Sequence, residues 1–184
     1  MHRNFLLNLL KHYQTDDSHE RNMLFDLVSF VENNENCFDR NLQQGHITGS
    51  AWLINSTRNQ IFFTHHKKLD RWLQPGGHSD NDANTLAVAM REASEESGIE
   101  DVFIQPVKDA IFDIDIHTIP ARKSEPEHLH YDVRFLLEAD ASQPLKLSDE
   151  SNEIRWFSLS EAEQICLEPS LKRMLDKTRH IFTK

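Results

Sequence analysis

From about residue 46 the hydrophobic period of this 184-residue chain changes from helical to alternating, and one helical segment, Thr85 to Ser97, interrupts the strands that follow. ITGSAWLI and QIFFTHH flank the turn-rich NSTRN and read as a hairpin. LQPGGHSDND reads as a loop, and the helix after it stops at Gly98, a residue suited to the left-handed position past a helix end. AIFDIDIH then places Phe112, Ile114 and Ile116 on one face and Asp113, Asp115 and His117 on the other. HLHYDVRFLLEA sets Leu129, Tyr131, Val133 and Phe135 against His128, His130, Asp132 and Arg134. This alternation predicts strands with one buried and one polar face. TIPARKSEPE joins them, NEIRWFSL is a last strand, and SEAEQI opens a C-terminal helix. The order strands, helix, strands, helix predicts an α/β sandwich with a mixed sheet.

Two helices precede this body. Leu6, Leu9, Leu10 and Tyr13 share one face within residues 1–13, and Met23, Leu24, Leu27, Val28 and Val31 share one within about 20–33. TDDSHE between them supplies capping residues. The expected division is a helical extension over 1–40 and a domain over 41–184. The apolar faces of the extension need a partner: the sheet, a second copy of the chain in a homodimer, or a site they cover as a lid.

The net charge of −10 argues against broad binding to DNA or RNA backbones. It leaves room for a small phosphorylated substrate, because a metal ion supplies positive charge locally. No apolar run is long enough to span a bilayer, and the N-terminus reads as an amphipathic helix without a cleavage site. Cys37 and Cys166 form no paired motif, which suggests a reduced, cytoplasmic protein.

The segment GGHSDNDANTLAVAMREASEESGI carries the strongest chemical signal. Glu92, Glu95 and Glu96 are spaced i, i+3 and i+4, so a helix points all three carboxylates the same way. Leu86, Ala89, Met90 and Ala93 lie on the other side and are expected to pack on the sheet. Three like charges repel, and a hard cation such as Mg²⁺ or Mn²⁺ relieves them. The alternative is a solvated acidic face with Arg91 as local partner.

The segment resembles the Nudix box, G-x5-E-x7-R-E-U-x-E-E-x-G-U with U a bulky aliphatic. Gly77, Arg91, Glu92, Glu95, Glu96, Gly98 and Ile99 fall in register, and Ala93 is a small residue at a U position. The resemblance covers roughly residues 41–170 and implies the α/β/α Nudix sandwich. It implies a metal-dependent hydrolase that cleaves a diphosphate linkage in a small molecule, by attack of an activated water on one phosphorus. By the same resemblance Glu95 and Glu96 bind metal, Gly76 offers its carbonyl, Glu92 binds metal or helps activate water, and Arg91 orients the glutamates. The family's first glutamate falls at Ala83, with Asp82 next to it. That departure keeps a non-catalytic nucleotide or sugar-phosphate sensor as an alternative.

Of the 11 histidines, His46, His78, His128 and His130 suggest a second site, either for a transition metal such as Zn²⁺ or for substrate. HITGSAW, GGH, HLHYDVRF and EIRWFSL resemble in order the metal-site layout of type I isopentenyl-diphosphate isomerases, which share the Nudix fold. Here His-x-His stands in place of their Glu-x-Glu, the cysteine they carry before the Gly-His pair is missing, and they lack the R-E-U-x-E-E run. Both absences favour hydrolysis over isomerisation. His65, Lys67, Arg71, His78, His117, His128 and His130 are the candidate substrate contacts. Trp52 and Trp156 are expected in the core.

Overall fold

The computed structural model describes residues 2–122 and 126–182. Part of the joining segment TIPARKSEPE, at 123–125, lies outside them. The chain runs α1 (Asn4–His12), α2 (Ser18–Asn33), β1 (Gly45–Asn55), β2 (Gln60–His66), β3 (Arg71–Leu73), β4 (Gly76–His78), α3 (Thr85–Ser97), β5 (Ile104–Ile119), β6 (His128–Ala139), β7 (Ser151–Ser158), α4 (Leu159–Ile165) and α5 (Pro169–Phe182). The α/β expectation is met, with the two helices ahead of the sheet. Residues group into two compact units, one of 1–50, 76–89 and 109–135, the other of 51–75, 90–108 and 136–184.

In the first unit the strand order is β1-β6-β5, and β4 pairs antiparallel with β1 through Thr48–His78, Gly49–Gly77 and Ser50–Gly76. The predicted loop LQPGGHSDND therefore contains a short strand. A glycine pair reads as loop by composition, yet Gly76 sits where a side chain would overlap Ser50. The N-terminal helices belong to this unit. Asp17 caps α2 by accepting from Glu20 N at 2.8 Å. Leu6, Leu10, Met23, Leu27, Phe30 and Val31 are buried, and the Phe30 and Tyr131 rings stack with centroids 3.8 Å apart. The buried Glu20 carboxylate accepts from Tyr13 Oη, Thr15 Oγ1 and, at 3.2 Å, the backbone N–H of Ile114.

The polar faces expected for β5 and β6 are closed to solvent over part of their length, while the His117 side chain stays 42% exposed. Asp113, Asp132 and Arg134 are buried, and β6 is buried on both faces from Asp132 to Leu137. Arg134 Nε donates to Asp132 Oδ2 at 2.7 Å, Nη1 to Asp113 Oδ1 at 3.2 Å, and Nη2 lies 3.2 Å from Asp115 Oδ2. Thr48 and Ser50 hydroxyls donate to Asp132 Oδ1 at 2.9 and 2.7 Å. The charges that mark a strand face as solvated by pattern are here paired inside the protein.

In the second unit β2 pairs antiparallel with β1, β3 and β7. Trp52 is fully buried and its indole N–H donates to Thr178 Oγ1 at 2.7 Å. Trp156 is only half-buried, and on β7 it is Phe157 that reaches the core, edge-on to Phe63. Ser158 and Glu161 form a capping box on α4. The chain breaks before α5, which Pro169 opens. No helix among the described residues is long and apolar enough to cross a membrane.

Helix α3 spans the predicted Thr85–Ser97 and ends at Gly98, whose φ is +74°. A Cβ there would lie 2.4 Å from Lys146 Cβ and 2.7 Å from its backbone N. Gly98→Ala is therefore expected to cost about 1–2 kcal/mol for the left-handed backbone, plus the displacement of Lys146. Thermal denaturation reads this directly, and an unchanged Tm would show that the turn relaxes.

Candidate functional site

The buried ridge of α3 is Thr85, Ala89, Ala93 and Ser97, with Val88 beside it. Leu86 and Met90, expected on that ridge, are only half-buried. Residues four apart stack along a helix, so the choice of ridge decides which side faces out. Along the outward side, Glu92 has a side chain 15% exposed and Glu95 one 63% exposed. Arg91 joins them: Nη2 donates to Glu92 Oε1 at 2.8 Å, and Nε lies 3.8 Å from Glu95 Oε1. Burial lifts the Glu92 carboxyl above the usual carboxylate range, Arg91 opposes the shift, and the charges of Glu95 and Glu150 add to it. Glu150 is a contributor that sequence reasoning missed. It lies in the KLSDES segment, where an acidic run before a strand looks like ordinary surface.

Asp82 does not stand free beside Ala83. Its carboxylate accepts from Asn84 N at 2.8 Å, and Asn84 Oδ1 accepts from Ala87 N at 3.2 Å near the helix start. Both polar side chains thus serve the turn into α3. Gly76 is placed on β4 opposite Ser50.

The histidines come together in the first unit. His46 lies on β1, His78 ends β4, and His128 and His130 begin β6. The His46 ring centroid is 4.9 Å from that of His78, 5.0 Å from His128 and 4.8 Å from His130. His78 and His130 are 5.1 Å apart, and His117 on β5 joins at 5.5 Å from His130. Burial pushes the His46 imidazole down to about 4, with His78 and His128 adding to the shift. Burial lowers His130 further, again reinforced by its neighbours. Both shifts favour the uncharged imidazole at His46 and His130.

The basic cluster behaves differently. Lys67 Nζ donates to Asp149 O at 2.8 Å, Arg71 is paired with Glu168, and His65 Nε2 lies 3.7 Å from Asp70 Oδ1. A phosphate contact from Arg71 would have to displace Glu168.

The family model that matches residues 46–178 is the NUDIX domain. The chain belongs to the NUDIX family. The resemblance read from residues 77–99 is thereby borne out. A probable DHNTP pyrophosphohydrolase of Lactococcus lactis is 30% identical over 96 residues, 51% of this chain and 55% of the relative. An asymmetrical bis(5'-nucleosyl)-tetraphosphatase of Mus musculus is 29% identical over 124 residues, 67% and 80% of the two chains. The chain thus spans about half the length of the first relative and most of the second. Among solved structures, a C. elegans Ap4A hydrolase superposes with a TM-score of 0.60 at 16% identity, covering 74% of this chain and 97% of that one. A NUDIX hydrolase from Clostridium perfringens gives 0.54 at 19% identity, covering 74% and 97%. Those likenesses show the NUDIX fold.

Proposed function

We propose that this NUDIX protein hydrolyses a diphosphate linkage in a nucleotide-like small molecule, with Glu92, Glu95 and Glu96 holding Mg²⁺ or Mn²⁺. The observation that carries the reading is the α3 carboxylate set, with Arg91 spanning Glu92 and Glu95. The donor set fits a hard divalent ion: it is all oxygen, it gathers negative charge on one helix, and burial already disfavours that charge at Glu92. When bound, such an ion lowers the pKa of a water and offsets charge on phosphoryl oxygens. Arg91 holds Glu92 and Glu95 in position, which limits the reorganisation needed when substrate arrives.

Relatives named as a tetraphosphatase and a pyrophosphohydrolase support trying dinucleoside tetraphosphates and pterin or nucleoside triphosphates first. A phosphate-release screen with Mg²⁺ or Mn²⁺, and EDTA as control, tests the reading. Metal-dependent turnover of one compound supports it. Tight binding of the same compounds without turnover favours the sensor.

The local engagement of Asp82 is the observation that favours the sensor as second reading, because Asp82 then serves the turn and does not stand in for the glutamate missing at Ala83. Ala83→Glu is expected to tighten Mn²⁺ binding by about 10-fold, the lower end of what a supporting carboxylate contributes. Isothermal titration checks this. Unchanged affinity would mean that residue 83 does not act on the metal site.

A further inference from the structure

We propose that His46, His78 and His130 form a binding site for a late first-row transition-metal cation, best filled by Zn²⁺, whose ligands are distinct from the α3 carboxylates. One ligand atom from each of the three rings lies within 4.8 Å of the others. Two nitrogens on a tetrahedral zinc, each about 2.0 Å from the metal, are about 3.3 Å apart, a distance small ring rotations reach from here.

Three features point to a cation at this spot. Both ring nitrogens of His46 and Nε2 of His130 are buried without a hydrogen-bond partner among the described residues. Buried polar atoms are nearly always satisfied, and one cation would take a lone pair from each ring: Nε2 of His130 and one nitrogen of His46, whose other nitrogen carries the ring proton. Next, two neighbouring imidazoles, outside the ligand set, are held by contacts at Nδ1. His128 Nδ1 lies 2.9 Å from Pro126 O and His117 Nδ1 lies 3.0 Å from Asp115 Oδ2. Each contact engages Nδ1 and fixes the orientation of the ring beside the three ligands. Finally, an anion finds little to hold it. The guanidinium of Arg40, whose charge acts on His46, is already bound by both oxygens of Asp80 at 2.6 and 2.8 Å.

The donor set also selects the ion. Imidazole nitrogen suits Zn²⁺, Ni²⁺, Cu²⁺ or Fe²⁺, whereas Mg²⁺ and Ca²⁺ require oxygen. The ligands come from β1, β4 and β6, so the ion would tie three strands together.

The test uses the full chain without an affinity tag, stripped with a strong chelator, incubated with Zn²⁺ and passed through gel filtration. Mass spectrometry of the eluted protein is expected to find about one zinc per chain. The half-buried His78 is the position for substitution least disruptive to folding. His78→Ala is expected to lose most of the zinc while keeping its circular dichroism spectrum, and Glu96→Gln is expected to keep the zinc. Zn²⁺ should also raise the Tm of the unmodified chain by about 5 °C or more, but not that of His78→Ala. The proposal fails if the unmodified chain retains no zinc. It fails equally if His78→Ala keeps zinc that Glu96→Gln loses, since that places the ion on α3. Zinc retention is read without turnover, so the outcome is independent of the hydrolase reading.

Discussion

Glu96→Gln is expected to lower kcat by about 10³-fold, roughly 4 kcal/mol of transition-state stabilisation, while leaving Tm and fold unchanged. The substitution preserves shape and removes one negative charge from a group of three on a single helix. If that group holds a hard cation, affinity for Mg²⁺ falls with the charge count. Glu95→Gln is expected to act in the same direction. It should also loosen Arg91, whose Nε lies 3.8 Å from Glu95 Oε1. Steady-state phosphate release across Mg²⁺ concentrations separates the effects: a rise in the metal concentration required reports lost binding, and a lower plateau at saturating metal reports lost catalysis. If both variants turn over substrate at nearly the parental rate, the carboxylates of α3 are not the centre of the reaction.

Arg134→Met is expected to destabilise the protein by about 3–5 kcal/mol, the range seen when one partner of a buried ion pair is removed. The guanidinium is 3% exposed and meets three carboxylates, Asp113, Asp115 and Asp132. Burial alone would lower its pKa. The aspartates outweigh that cost, so its pKa lies above the ordinary arginine value. Methionine fills comparable space but leaves Asp113 and Asp132 as buried anions, with the hydroxyls of Thr48 and Ser50 bonded only to the latter. At about 2–4 °C per kcal/mol for a chain of this size, the loss in Tm is on the order of 10 °C. Chemical denaturation gives the free energy directly. A loss under about 1 kcal/mol would mean that the aspartates take up protons at little cost.

Element positions were largely legible where a local signal marks them. Helix α3 has its turn residues at one end and Gly98 at the other, and both of its bounds agree with the pattern. Periodicity marks a face as polar without saying whether solvent or the protein itself meets it. Asp113, Asp132 and Arg134 alternate with apolar residues, and only tertiary pairing reveals that they neutralise one another inside. The same limit explains Leu86 and Met90: a helical wheel defines ridges but does not say which one meets the sheet. Short strands such as β4 escape because glycines carry no pattern, and their pairing partner at Thr48–Ser50 is distant in sequence. At the site, the glutamates stood out as candidates through the Nudix-like segment around them, since their spacing alone fits a solvated acidic face as well. The histidines were readable as candidates, but their convergence depends on how three strands are laid side by side. Glu150 was hidden because its electrostatic influence on Glu92 crosses a long stretch of chain.

Glu20 has a further implication for how the N-terminal helices are seated. Its carboxylate is matched by a phenol, a hydroxyl and one particular amide of β5, that of Ile114. Apolar packing tolerates slippage by a residue because one aliphatic contact resembles the next. A buried anion does not, since any other register would cost it the Ile114 amide, while Tyr13 and Thr15 move with it. The residue works like the tooth of a key: it adds little adhesion of its own but admits a single alignment of helix on strand. The segment preceding the NUDIX match is therefore seated in one defined way, although its sequence looks like a generic amphipathic pair.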